Sequence, residues 1–219
     1  MTSTARAKNQ AKACETPTAQ QKRIWDKAAS SYDKQIAFFE RIQFAAGREW
    51  IGQRARGRVL EVAIGTGLNL PRYPADVTIT GIELSPAMLA VARQRAAGLG
   101  REVDLREGDA EHLPFDDASF DTVVCTLSLC TIPSPDAAIA QMRRVLGPGG
   151  RLLLLDHIGS TWPPVYAAQW LAERITIRAA GEHFTRRQLP LVKAAGFQIV
   201  ETERLLAGTV ERIHAVKPA

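Results

Sequence analysis

The sequence predicts an α/β protein with a doubly wound, mostly parallel sheet and helices on both faces, and three stretches carry that expectation. Residues 59–70 (VLEVAIGTGLNL) form a short apolar run that ends in an acid and then in a Gly-x-Gly loop. Residues 77–83 (VTITGIE) form a second β-rich run that ends in an acid, and residues 120–129 form a nearly continuous apolar run, as expected of a central strand buried on both faces. With 219 residues and 46% hydrophobic content, one sizeable core and a single domain suffice.

In chain order, residues 1 to about 20 are polar and Ala-rich and carry Arg6, Lys8 and Lys12, with Lys22 and Arg23 just beyond. They read as a disordered basic tail, whose functional alternative is weak contact with an anionic membrane surface or nucleic acid. From about Thr18 to Gln53 the pattern is helical, broken near Ser30, Ser31 and Tyr32. There Ile36, Phe39 and Gln43 share a face that Phe38, Ile42 and Phe44 widen. After the first strand, Pro71 and Pro74 leave room only for a short helix, with Asn69 as its natural cap. The second strand leads to a helix with Ser85 at the N-cap, Pro86 in its first turn and Gly98 or Gly100 at its end.

Residues 101–107 read as a third strand and GDAEHLPFDDASF as the loop after it. Ser134 and Pro135 start a helix with Ile139, Met142 and Leu146 on one face, and Gly147 and Pro148 stop it. RLLLLDHI is the fifth strand. In the segment 160–181, Trp162, Tyr166 and Trp170 recur every four residues and share a face if the segment is helical. HFTRRQLPLVKAAGF reads as a further helix, and residues 197–206 and 209–216 as a closing hairpin.

The loop after the first strand narrows the ligand. Glu83, at the tip of the second strand, is placed to accept hydrogen bonds from both hydroxyls of a ribose, which points to a nucleoside. A dinucleotide fingerprint requires a glycine where this chain has Leu70, and no Gly-Lys-Ser or Gly-Lys-Thr follows the loop to make a phosphate cradle. Glu61 at the loop's entrance would repel pyrophosphate but suits a ligand with an ammonium and a sulfonium. S-adenosyl-L-methionine has both and no phosphate.

Motifs over about residues 22 to 217 resemble the class I S-adenosylmethionine-dependent methyltransferases, within the subgroup acting on quinone rings, phospholipids and thiols. The family's acidic-x-Gly-x-Gly-x-Gly motif corresponds to Glu61, Val62, Ala63, Ile64, Gly65, Thr66 and Gly67, with Ala63 in place of the first glycine. FDTVVCTLSL resembles the fourth strand and LGPGGRLLLLDHI the turn and fifth strand. The resemblance implies a Rossmann-like seven-stranded sheet whose closing hairpin contributes one antiparallel strand. It also implies S-adenosyl-L-methionine as methyl donor, S-adenosyl-L-homocysteine as product, and in-line displacement that depends chiefly on positioning.

The implied donor contacts are Glu61, Ala63, Gly65, Thr66, Gly67 and Asn69 around the loop, and Glu83 and Leu84 at the second strand. Met88, Asp109 and Ala110 are implied near the adenine, Thr126 and Leu127 at the end of the fourth strand, and Tyr32 over the methionine arm. Acceptor contacts are expected from Tyr32, Ser128, Cys130, His157, Trp162 and Tyr166. In that scheme the segment 160–181 forms an apolar lid with Arg174 and Arg178 near its mouth; its alternative is packing on the sheet or a neighbouring subunit. His157 is the candidate general base. A partnership with Asp156 is disfavoured, because adjacent strand residues point to opposite faces. The expected layout is a tail over 1–20, cap helices over 21–56, a donor-binding core over 57–157, an acceptor-side segment over 158–190 and a closing unit over 191–219.

Cys14, Cys125 and Cys130 make no paired framework and no zinc spacing, so no metal and a cytoplasmic location are expected. No signal segment or 18-residue apolar stretch is visible, which predicts a protein that is at most peripheral to a membrane. The expected partner is a small-molecule or lipid-like acceptor, with no nucleic acid; oligomeric state is left open. The rival readings are a noncatalytic nucleoside-binding module and a nucleic-acid methyltransferase. The latter lacks both an Asn-Pro-Pro-Tyr-type motif and an aromatic-basic stacking stretch.

Overall fold

The computed structural model describes residues 15–219, apart from the side chains of 178–180. Most of the expected tail lies outside the described residues, but its last part does not. Helix α1 (Pro17–Ala28) begins there, because the Thr16 hydroxyl accepts from the Ala19 amide at 3.2 Å and Pro17 occupies the first turn, where no amide donor is needed. The helix thus starts at Pro17, inside the last part of the span read as tail.

Helix α2 (Tyr32–Phe39) runs through a π-helical turn (Glu40–Phe44) into α3 (Ala45–Arg54). The chain then enters β1 (Arg58–Val62), a 3₁₀ turn (Leu70–Arg72), β2 (Thr78–Glu83), α4 (Pro86–Gly98) and β3 (Asp104–Glu107). Strand β4 (Phe120–Thr126) leads through α5 (Pro135–Val145) to β5 (Leu146–His157). Helix α6 (Pro163–Ala180), the short α7 (Gln188–Ala194), β6 (Gln198–Leu205) and β7 (Val210–Val216) complete the chain.

The seven strands form one sheet in the order β3-β2-β1-β4-β5-β7-β6, in which only β7 runs antiparallel to its neighbours. The chain moves outward from β1 to β3 and then returns to the other side of β1 at β4. The carboxyl ends of β1 and β4 therefore flank the crevice in which doubly wound sheets bind ligands. Alternation along the strands gives each face its own core. Leu60, Val62, Val123 and Leu152 pack with α5 and Val192 of α7, whereas Val59, Ile79, Val124 and Leu153 pack beneath Trp50 and Ile51 of α3 and Leu89 of α4.

Three local expectations change. Leu146 is buried, but as the first residue of β5 opposite Phe120; the strand resumes at Arg151 opposite Thr122 after the glycine-rich turn. The helix expected from His183 starts only at Gln188, because Gly181 turns left-handed at φ 65° and the following residues bond to the β4 end, with the His183 amide donating to the Cys130 carbonyl. Asn69 precedes the 3₁₀ turn but makes no side-chain cap there; its amide is engaged elsewhere.

Candidate active site

A pocket opens at the carboxyl ends of β1, β2 and β4. Its floor is the loop after β1 (Ala63, Ile64, Gly65, Thr66) with Glu61, and one wall comes from Glu83, Leu84, Met88, Asp109 and Ala110. The other wall comes from Thr126, Leu127, Ser128 and Thr131, and helices α1 to α3 cover it with Trp25, Tyr32 and Arg48.

The loop turns through alternate left-handed residues, Ala63 at φ 55°, Gly65 at 58° and Gly67 at 80°. An added Cβ at Gly65 would meet nothing within 4 Å, leaving room for a ligand, whereas one at Gly67 would come within 2.8 Å of Leu70 Cδ1. Fully buried Leu70 thus fills the space that a third glycine would leave for a helix. Ala63 accepts a conformation that costs a non-glycine residue about 1 kcal/mol.

Two buried carboxylates face this loop from adjacent strands. Glu61 accepts from Asn69 Nδ2 and from the Tyr73 hydroxyl, each at 2.8 Å. Burial pushes its carboxyl up to about 7 against the opposing pull of those two hydrogen bonds and of Arg48. Asn69 is the hub: its Nδ2 also donates to Thr126 Oγ1 at 2.8 Å, and its Oδ1 accepts from Arg48 Nη1 at 2.9 Å. Glu83 accepts from the Gly65 and Ser85 amides, each at 2.9 Å, which locks its carboxylate between the loop and the start of α4. Burial raises this carboxyl too, and those amides oppose the rise.

Asp109 accepts from the Glu111 amide at 2.9 Å, the turn-forming contact of an aspartate, while also lining the pocket. Ser85 caps α4 as expected, accepting from the Met88 amide at 3.1 Å. Its own hydroxyl donates to Asp26 of α1 at 2.6 Å. Asp33, next to Tyr32, accepts from Thr66 Oγ1 at 2.7 Å and pairs with Arg95 of α4. Asp26, Asp33 and Arg48 thus pin the covering helices to the loop and α4. None has a local signature, since each partner lies far along the chain; only the Tyr32-Asp33 pairing hints at the second.

The acceptor-side candidates separate. Tyr32 and Ser128 line the pocket; Cys130, His157, Trp162 and Tyr166 do not. His157 is tucked behind the β4 end, with its Nε2 3.0 Å from Glu182 Oε1 and its ring 4.9 Å from that of Phe184. Burial lowers its pKa, but the Glu182 hydrogen bond and the charges of Asp156, Glu182 and Glu173 outweigh burial and raise it. Asp156 makes no side-chain bond to the imidazole; its carboxylate accepts from the His157 and Cys130 amides. Cys130 has a histidine neighbour in space although its sequence spacing shows none. Its sulfur, His157 Nε2 and Glu182 Oε1 lie within 4.8 Å of one another, a donor set of the kind that holds a divalent ion. Arg186 already supplies positive charge beside Cys130 and Asp156.

Trp162, Tyr166 and Trp170 follow the expected helical spacing but form no lid. Trp162 is 60% exposed, Trp170 is exposed, and half-turned Tyr166 packs against Gly159.

Comparison with known proteins agrees with this geometry. A profile described as a methyltransferase domain matches residues 60–154. A phosphatidylethanolamine N-methyltransferase from Cereibacter sphaeroides is 41% identical over 115 residues, 52% of this chain and 57% of that protein. The chain thus spans less than three-fifths of this relative's length. A ubiquinone/menaquinone biosynthesis C-methyltransferase from Cupriavidus pinatubonensis is 31% identical over 176 residues, 70% of this chain and 72% of that one. Among solved structures, an S-adenosylmethionine-dependent methyltransferase from Thermotoga maritima superposes with a TM-score of 0.72 at 21% identity, covering 90% of this chain and 99% of its own. Sheet order, loop and relatives together place this chain in the class I methyltransferases, whose methyl donor is S-adenosylmethionine.

Proposed function

We propose that this chain transfers a methyl group from S-adenosylmethionine to a small apolar or amphiphilic acceptor: a phospholipid amine headgroup, a thiol or a hydroxyquinone. The observation that carries the reading is the buried carboxyl of Glu61 on the pocket floor. Glu61 is buried at the pocket floor, where desolvation disfavours its charged form and pushes its carboxyl up to about 7, and a cation bound beside it would stabilise the carboxylate. An ammonium group supplies such a cation, and the space above Gly65 lets the loop backbone approach a ligand.

In this reading Glu83 accepts the ribose hydroxyls, Asp109 and the Ala110 amide hold the adenine edge, and Met88 packs beside it. Gly67 and Asn69 act from below, the first by its turn and the second by orienting Glu61. Thr126 and Leu127 meet the donor at the end of β4. Bound here, S-adenosylmethionine supplies an electrophilic methyl on a sulfonium. The protein's own contribution is alignment and exclusion of water, by Trp25 and Tyr32 above and by Ser128 and Thr131 at the side.

His157 we assign as a positioning residue. It sits outside the pocket wall and its Nε2 engages Glu182, which suits a fixed support of the β4 end better than a free base. The phospholipid and alkyl-thiol branch is favoured by the CTLSLC, STW and GEHFTR segments and the His157 position, and the quinone branch by the longer match to the Cupriavidus relative.

The test is mass-spectrometric detection of methylated product after incubation with S-adenosylmethionine and alkyl thiols, phosphatidylethanolamine vesicles or hydroxyquinones. A product in one class is expected and identifies the acceptor atom. Intact S-adenosylhomocysteine binding with no product in any class would reject these acceptors; loss of that binding as well would reject the donor site.

A further inference from the structure

We infer that helix α6, together with the α2 segment, docks on the surface of an anionic phospholipid bilayer and presents the acceptor side of the pocket to it. The inference rests on the amphiphilic-acceptor reading and starts from the outer face of α6. Leu171 is 61% exposed, Ile175 is 71% exposed, and Trp162 and Trp170 lie open at the same helix. A surface helix of a self-contained domain ordinarily turns such side chains inward.

The charges of α6 are sorted in the same sense. Its one acidic residue, Glu173, is turned inward, where its carboxylate meets His183 Nδ1 at 3.3 Å and accepts from the Thr185 amide at 3.0 Å. Arg174 stays outside, with its guanidinium 3.5 Å above the Trp170 ring. Apolar bulk, indole rings and an outward cation without an outward anion form the pattern of a helix lying in a headgroup layer. No helix among the described residues is long and apolar enough to cross a membrane, so α6 would lie on the bilayer, not through it.

The α2 segment repeats the arrangement independently. Phe38, Phe39 and Ile42 are exposed beside outward Lys34 and Arg41. The acids of this stretch are again consumed inward, Asp33 by Thr66 and Arg95, and Glu40 by Arg48 at 2.7 Å. Both segments lead into the acceptor side: α2 begins with Tyr32, and α6 ends at the turn that carries Glu182. A Cβ added at Gly181 would collide with Gln21 Nε2 of α1, and Gln21 lines the pocket together with Tyr32, so the end of α6 abuts the pocket's cover. An amphiphile lifted from the bilayer would meet the pocket between them.

The experiment is co-sedimentation of the full chain with vesicles of phosphatidylcholine alone or mixed with phosphatidylglycerol, comparing the parent protein with Leu171→Glu/Ile175→Glu and with Phe38→Ser/Phe39→Ser. Because these side chains are exposed, S-adenosylhomocysteine affinity, read by calorimetry, stays unchanged and verifies the fold. The expected result is binding to the anionic vesicles that weakens at least tenfold in the α6 variant and measurably in the α2 variant. Equal sedimentation of parent and α6 variant would overturn the proposal and assign binding to the basic N-terminal stretch. A parent dimer that the α6 variant converts to monomer would overturn it in favour of a second copy on this face. No vesicle binding with normal S-adenosylhomocysteine affinity would overturn the docking alone, whereas absent S-adenosylhomocysteine affinity in the parent would strike the donor reading instead.

Discussion

On the donor side of the pocket, Glu61, Gly65, Asn69 and Glu83 come from the span 61–83, and the two carboxylates are almost wholly withdrawn from water. On the acceptor side, Tyr32, Ser128 and the Glu182 turn come from the span 32–182 and are held by contacts between distant segments, bordered by apolar side chains that face solvent. The donor side must hold one fixed shape, so its polar groups satisfy one another through a dense local network around Asn69. The acceptor side must admit a variable molecule, so it is assembled from elements that each keep an unsatisfied outer face. The contrast fits a family in which the donor is constant and the acceptor changes.

The comparison breaks most visibly at Asn69. Asn69→Ala removes hydrogen bonds to Glu61, Thr126 and Arg48 and leaves Glu61 Oε1, Thr126 Oγ1 and Arg48 Nη1 without that partner, so unfolding in urea should show a loss of about 3 kcal/mol. A substitution on the exposed acceptor border, such as Ile175→Ser, should change stability by about 0.5 kcal/mol or less. Equal losses at the two positions would erase the distinction.

A second effect of similar size comes from Glu61. A carboxyl whose folded pKa is raised contributes full stability below its unfolded value near 4.5, and that contribution is lost as pH rises through about 7. Relative to Glu61→Gln, the ligand-free protein should therefore lose stability on the order of 3 kcal/mol across that window. Binding of a ligand ammonium should reverse the preference and expel a proton near pH 6. Calorimetry in two buffers of different ionisation enthalpy reads that release directly, and no net proton exchange would contradict it.

Glu182→Gln probes the acceptor side alone. It should lower turnover about tenfold, roughly 1.4 kcal/mol, and leave S-adenosylhomocysteine affinity unchanged. A lowered His157 pKa, followed by NMR, would separate loss of positioning from general unfolding. The smallest effect is Ala63→Gly. Relief of the left-handed alanine outweighs the added freedom of the unfolded chain, for a gain of about 0.5 kcal/mol, read by the same urea titration.

The same division governs what the sequence discloses. Glu61, Gly65, Gly67, Glu83 and Ser85 are readable because strand ends, turns and caps impose residue types at short range. The central strands are legible for a related reason, since continuous apolar runs mark strands covered on both faces. Asn69 shows the limit. Its position before Pro71 reads as a cap, and only Glu61, Arg48 and Thr126 brought together make it a buried hub. Thr16 and Pro17 are a legible helix start that the surrounding tail-like composition obscures.

His157 was visible as a polar residue at the end of β5, but its partner Glu182 lies beyond an intervening helix and leaves no periodic trace. The four-residue spacing of Trp162, Tyr166 and Trp170 correctly implies a helix without saying which way its rows face. Periodicity specifies a stripe; only tertiary contacts specify what covers it. On α6 the outer row meets solvent, which removes the lid and leaves an interface in its place.

The most direct test of the donor site is calorimetric titration of S-adenosylhomocysteine into the parent protein and Glu83→Ala. Single-site binding by the parent and a loss of about 1.5 to 3 kcal/mol in the variant are the expected results of the proposed ribose contact of Glu83. Absence of binding to the parent, or identical affinity in the two proteins, would contradict the account at its centre.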